Sequence, residues 1–196
     1  VALIDRNGAP SCSKRVLVYN PPVVNRELGI RQSYVKACAR LTADLVRSNV
    51  PTLLFGQSRN TVEVMLKYLR DALILSRIDP NVVHAYRSGY LPQTRRDIET
   101  RLRNGELKCV VATSALELGI DVGALDAVSC AGWPGSMAAL WQRFGRAGRR
   151  QGTSLSLLVT SSAPVDQFVA TNCDVLLSQN IEHARIDPDN AEILVQ

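Results

Sequence analysis

Three short stretches constrain the fold more than anything else in this chain. Thr52-Leu53-Leu54-Phe55, Cys109-Val110-Val111-Ala112 and Ala127-Val128-Ser129-Cys130-Ala131 are almost continuously apolar, with no polar alternation. A strand with one face in water alternates. A strand apolar on both faces is covered on both, as in a parallel sheet with helices above and below. Strand-like runs also occur at Val16–Tyr19, Val82–Tyr86 and Ser154–Thr160. Between them lie segments with helical spacing: Ser33–Arg47, Asn60–Leu75, Gln93–Asn104, Ser136–Phe144 and Val165–Ser178. In the second of these, Val62, Met65, Leu66, Leu69 and Leu73 fall on one face. Gly105 follows the third, where a C-terminal glycine stops a helix. Short connections between strand and helix fit right-handed βαβ units. The expected fold is α/β: a three-layer α/β/α sandwich around a mostly parallel sheet. On such a sheet, ligands bind beyond the carboxyl ends of the strands.

Each chemically loaded stretch falls on that edge. Gly56-Gln57-Ser58-Arg59-Asn60 follows one strand, and Arg87-Ser88-Gly89-Tyr90 follows another. Thr113-Ser114-Ala115-Leu116-Glu117-Leu118-Gly119-Ile120-Asp121 follows a third. Any one of these loops is explained by an ordinary helix N-cap. Hydroxyls, small residues and arginines repeated along one edge also form a phosphate track. At the far end of the helix beginning near Ser136 comes Gln142-Arg143-Phe144-Gly145-Arg146-Ala147-Gly148-Arg149-Arg150, with four arginines in nine residues. Arg143, Arg146 and Arg149 are three apart and stay on one side of a helix. Burial of such an array calls for an anion to meet it. The plain alternative is a solvated basic helix end.

The net charge of +5 and pI of about 9.1 favour a polyanionic partner. Five scattered cysteines with no C-x-x-C pair argue against both zinc and a disulfide framework, and point to a reducing cytoplasm. No apolar run is long enough for a membrane span. The start lacks the regions of a signal peptide and has no Met, which marks a piece of a longer polypeptide.

These loops resemble the motifs of superfamily-two helicases, in their second RecA-like domain. Leu53–Arg59 is similar to motif IV. Ala112–Asp121 is similar to motif V, and Gln142–Arg149 has the Q-R-x-G-R-x-G-R form of motif VI. Tyr19-Asn20-Pro21-Pro22, Arg87–Pro92 and Ala131–Ser136 resemble the Mrf/Hrq branch of DNA repair helicases.

The resemblance implies a RecA-like sandwich and a division of labour. Arg146 and Arg149 match arginine fingers for the ATP γ-phosphate, with Gln142 beside the attacking water. A planar, permanently charged fork suits the spread charge of a phosphoryl group in transfer. Gly119 and Asp121 match positions beside the nucleotide, and Arg143 a nucleotide-binding position that links the nucleotide to the neighbouring domain. Thr113, Ser58, Arg59, Arg87 and Gly89 fall where the family touches the strand backbone, contacts that give affinity without reading sequence.

The phosphate loop G-x-x-x-x-G-K-[ST] and the acidic box that holds Mg²⁺ are both missing from this sequence. The family carries them on its first RecA-like domain, so ATP and Mg²⁺ would be held mainly there. The isolated domain is therefore expected to be inactive. The expected organisation is a strand and connector from the first domain over residues 1–30, the helicase domain over 31–182, and a connector over 183–196. The expected partners are DNA and that first domain, with no membrane. Two alternatives stand beside this: an RNA helicase domain of DEAD-box type, and a non-catalytic nucleic-acid-binding module. Trp133, in a Gly/Pro loop, is a candidate for base stacking, whereas Trp141 and His84 read as structural.

Overall fold

The computed structural model describes residues 13–117, 125–148, 152–178 and 181–182. Gly119, Asp121, Arg149 and the connector over 183–196 lie outside them.

Six strands form one sheet: β1 (Ser13–Tyr19), β4 (Thr52–Phe55), β5 (Val83–Tyr86), β6 (Cys109–Ala112), β7 (Ala127–Ala131) and β8 (Thr153–Val159). Their order across the sheet is β1-β8-β7-β4-β6-β5. Every pairing is parallel. The apolar strands β4, β6 and β7 occupy inner positions and are buried at every residue. Burial on both faces is why their sequences do not alternate.

The helices cover the two faces. α1 (Tyr34–Arg47) and α2 (Arg59–Leu75) pack on one side, with Ala37, Cys38, Val62, Met65 and Leu69 against Leu54, Val83 and Val111. The other side buries Ile98 and Leu102 of α3 (Pro92–Arg103) and Leu140 and Phe144 of α4 (Met137–Phe144). They pack there with Val169 of α5 (Pro164–Thr171) and Leu176 of α6 (Val175–Ser178). Cys38, Cys109 and Cys130 are buried free thiols in these cores. Burial pushes all three thiols up, Cys130 to about 12.

The segment Val165–Ser178, expected as one helix, is two. Asn172 interrupts it, its amide donating to Phe168 O and to Thr171 Oγ1. Such local bonds compete with helix continuation. A hairpin not expected from the sequence, β2 (Val23–Asn25) with β3 (Ile30–Arg31), turns through Gly29 at φ +63°. The expected strand at Val16–Tyr19 begins at Ser13 and forms one edge of this sheet, paired with β8.

Candidate nucleotide and nucleic-acid interface

α4 carries the arginine array and is fixed at both ends. Ser136 caps its start, accepting from the Ala139 N–H at 3.1 Å. The Glu182 carboxylate accepts from the Met137 and Ala138 N–H groups, and these bonds lower its pKa. Lys14 of β1 donates to the carbonyl of Phe144 at 2.6 Å, placing a cation at the helix C-terminus. The helix ends at Phe144 with Gly145 as C-cap, so Arg143 lies on it and Arg146 just past it.

Both arginines turn inward and meet one residue, Glu117. Arg143 is 5% exposed; its Nε and Nη2 each lie 2.6 Å from Glu117 Oε1. Its guanidinium stacks on Phe55 at 5.1 Å from the ring centroid. Arg146 is 8% exposed, and its Nε donates to the Glu117 carbonyl at 2.9 Å, with Nη2 on the same oxygen. Burial of Arg143 is thus accompanied by an anion, as such an array calls for. The anion at Arg143 is a carboxylate of the chain itself, and the carbonyl of the same residue accepts from Arg146. Gln142 is exposed on α4. Thr113, half-buried, caps the short turn Ser114–Leu116 that presents Glu117.

In the second group of expected residues Ser58, Arg59 and Gly89 are exposed and Arg87 is half-buried. Ser58 caps α2, accepting from the Thr61 N–H at 3.1 Å. Arg59 donates to Ser88 Oγ at 3.3 Å, which joins the loops after β4 and β5. Arg87 pairs with Glu63 at 3.2 Å and lies over the Tyr90 ring at 5.0 Å, beside exposed Gly89. The structure therefore brings together Ser58, Arg59, Arg87 and Gly89 along one edge, and Arg143 and Arg146 on Glu117.

Three residues stand out here that the sequence reading did not single out. Glu117 sits inside the motif V stretch, four residues before Asp121. Gln57 donates to the Trp133 carbonyl at 2.9 Å. Asp166, 3% exposed, accepts from the N–H groups of Trp133 at 3.1 Å and Ser161 at 2.7 Å. Trp133 and Trp141 both pack partly buried against the core, Trp141 edge-on to Phe144. His84 is half-buried on β5, its Nδ1 3.0 Å from the Ala85 carbonyl. Among the described residues, no three His, Cys, Asp or Glu side chains are grouped to hold a metal ion.

The sequence matches the helicase conserved C-terminal domain over residues 33–151. The chain belongs to that family. It is 43% identical over 193 residues to the uncharacterized ATP-dependent helicase YprA of Bacillus subtilis, covering 98% of this chain and 26% of that protein. It is 40% identical over 182 residues to the ATP-dependent helicase HRQ1 of Saccharomyces cerevisiae, covering 92% of this chain and 17% of that one. The crystal structure of the DUF1998 helicase MrfA bound to DNA superposes with a TM-score of 0.92 at 43% identity, over 99% of this chain and 26% of MrfA. MrfA bound to DNA and AMPPNP superposes with a TM-score of 0.91. This is a second RecA-like domain of the superfamily-two helicases, in the branch that holds MrfA and HRQ1. The chain spans about a quarter of the length of YprA. No described helix is long and apolar enough to cross a membrane.

Proposed function

We propose that this domain is the second motor domain of an ATP-dependent DNA helicase or translocase. In this reading it supplies arginine fingers to ATP held mainly by a first RecA-like domain, and grips the strand backbone along its own sheet edge. What supports the reading is the match of Gln142–Arg149 to motif VI within a helicase C-terminal domain, with Arg143 and Arg146 lying on the motif V loop at Glu117; for Arg146 to act as a finger it must leave that inward position. The likeness to MrfA, whose structures hold DNA and AMPPNP, supports the choice of DNA and ATP.

Within this reading Arg146 is parked. A phosphate is an anion that the planar guanidinium can meet with two parallel N–H bonds, which lets it compete with the Glu117 carbonyl. When the first domain brings a γ-phosphate close, Arg146 exchanges the Glu117 carbonyl for it, together with Arg149, while Gln142 orients the attacking water. Arg143 stays on the Glu117 carboxylate and holds the loop in register. Mg²⁺ would be held mainly by residues of the first domain, where the family carries its acidic box, and would supply charge neutralisation at the phosphates. Gly119 and Asp121 would line the nucleotide. Ser58, Arg59, Thr113, Arg87 and Gly89 would face the backbone of one strand. Closure of the cleft on ATP and its opening after hydrolysis would then alternate the grip.

The test is Arg146→Ala in the protein that contains both motor domains. Turnover should fall about 10³-fold or more, the range of an arginine finger, with nucleotide binding retained. A variant with a normal ATPase rate overturns the assignment. This domain alone should hydrolyse no ATP.

A further inference from the structure

The loop Gly132–Ser136, between β7 and α4, is held from both sides by its backbone. The Trp133 carbonyl accepts from Gln57, on the loop after β4, and the Trp133 N–H donates to Asp166 of α5. β4 and β7 are paired neighbours, with Phe55 opposite Cys130, so these loops leave the sheet side by side. Gly132 has φ +80°, and a Cβ there would lie 2.5 Å from Gln57 Nε2. The amide of Gln57 fills the space that glycine leaves. Asp166 is itself braced: it closes the turn at Ser161, while Gln167 and Asn20 exchange amide bonds at 3.1 and 3.2 Å.

One step from this clamp lie the two working parts. Ser58 and Arg59 directly follow Gln57. On the other side, Pro134 and Gly135 lead to Ser136, the cap of α4. Eight helical residues make a rod about 12 Å long, pinned at its far end by Lys14, and Arg143 and Arg146 stand at that end.

We propose that Gln57 and Asp166 are positioning residues, clamping the Trp133 peptide so that a strand gripped at Ser58 and Arg59 acts through α4 on Arg143 and Arg146. This rests on the motor reading above. A displacement of the β4 loop pulls on the Trp133 carbonyl. Asp166 prevents the loop from yielding sideways, so the displacement passes into the helix rather than being lost in loop motion. Such coupling shows in the experiment as the ratio of ATPase rates with and without DNA.

The experiment measures ATPase rate without and with saturating single-stranded DNA, and DNA affinity by anisotropy, in the protein with both motor domains. Gln57→Met keeps the length of the side chain and loses the donor without adding charge beside Arg59. Its DNA stimulation should fall about tenfold, mid-range for coupling between sites, with basal rate and DNA affinity within about twofold of the parent. Asp166→Ala should do the same, and Asp166→Asn, which keeps an acceptor for both N–H groups, should restore most of the stimulation. Unchanged stimulation in Gln57→Met overturns the clamp. So does a matching loss of DNA affinity, which would make Gln57 a direct strand contact. If Asp166→Ala is only less stable, Asp166 is no more than a cap of its own helix, and its part is overturned. A parent protein whose ATPase ignores DNA defeats the motor reading itself, an outcome distinct from these.

Discussion

The Glu117 cluster and the Arg59–Ser88 edge are built from the same kinds of residues and held in opposite ways. At the first, Arg143 and Glu117 have side chains only 6% and 13% exposed, and the arginine is sandwiched between a carboxylate and an aromatic ring. At the second, Arg87 and Glu63 are 34% and 46% exposed, and Arg59 holds Ser88 by a single long bond. Desolvated charges lock a geometry because removing either partner strands the other. Exposed pairs contribute about 0–1 kcal/mol and exchange readily with water or with a phosphate. The difference matches the two tasks proposed for them: one region must present a fork at a fixed place, and the other must take hold of a backbone and let it go.

The largest expected effect is on turnover, in Arg146→Ala as described above. Next comes Glu117→Ala, which leaves the Arg143 guanidinium without its carboxylate. It should cost about 3–5 kcal/mol in urea unfolding of this domain, as for other broken buried pairs. A loss below about 1 kcal/mol would show that the cluster is as replaceable as a surface pair, and the comparison would break.

Arg59→Ala should have the reverse profile. Stability should stay within about 0.5 kcal/mol, as for surface substitutions. DNA affinity should weaken similarly across sequences, and the slope of log K against log salt should shrink by about 1. An unchanged salt slope would mean that Arg59 touches no phosphate.

The smallest effect concerns pH and lies away from both regions. Burial raises Tyr86 from 10.0 to about 12, aided by the hydrogen bond of its hydroxyl to Glu99 at 2.7 Å. Because the folded value is the higher, this contribution is complete below pH 10 and is lost as pH climbs from 10 to 12. Tyr86→Phe should cost about 1 kcal/mol at neutral pH. It should also flatten the stability curve above pH 10 relative to the parent. The buried thiols, with values raised from 9.0, add a further loss in alkali that the variant keeps. An equal slope in both proteins would remove Tyr86 from the account.

Much of this was legible in the chain. β4, β6 and β7 match the apolar runs residue for residue, because a strand covered on both faces has no room for polar alternation. Ser33, Ser58 and Ser136 each cap the helix that the sequence placed after them. The hairpin Val23–Arg31 was not legible. Its strands are three and two residues long, too short to carry a period. The break at Asn172 was signalled only by a run of small polar residues. Glu117 lay in plain view within motif V, yet nothing in its spacing separates it from Asp121 as a partner for an arginine 26 residues on.

The order of elements, the parallel sheet and the identity of the motifs are properties of local pattern and composition, which a linear chain carries openly. Which carboxylate meets Arg143, where Arg146 rests, and that Trp133 is held by Gln57 and Asp166, were decided by packing. Those pairs are separated by 26, 29, 76 and 33 residues, and only the crossing of strands and helices brings them within hydrogen-bond reach.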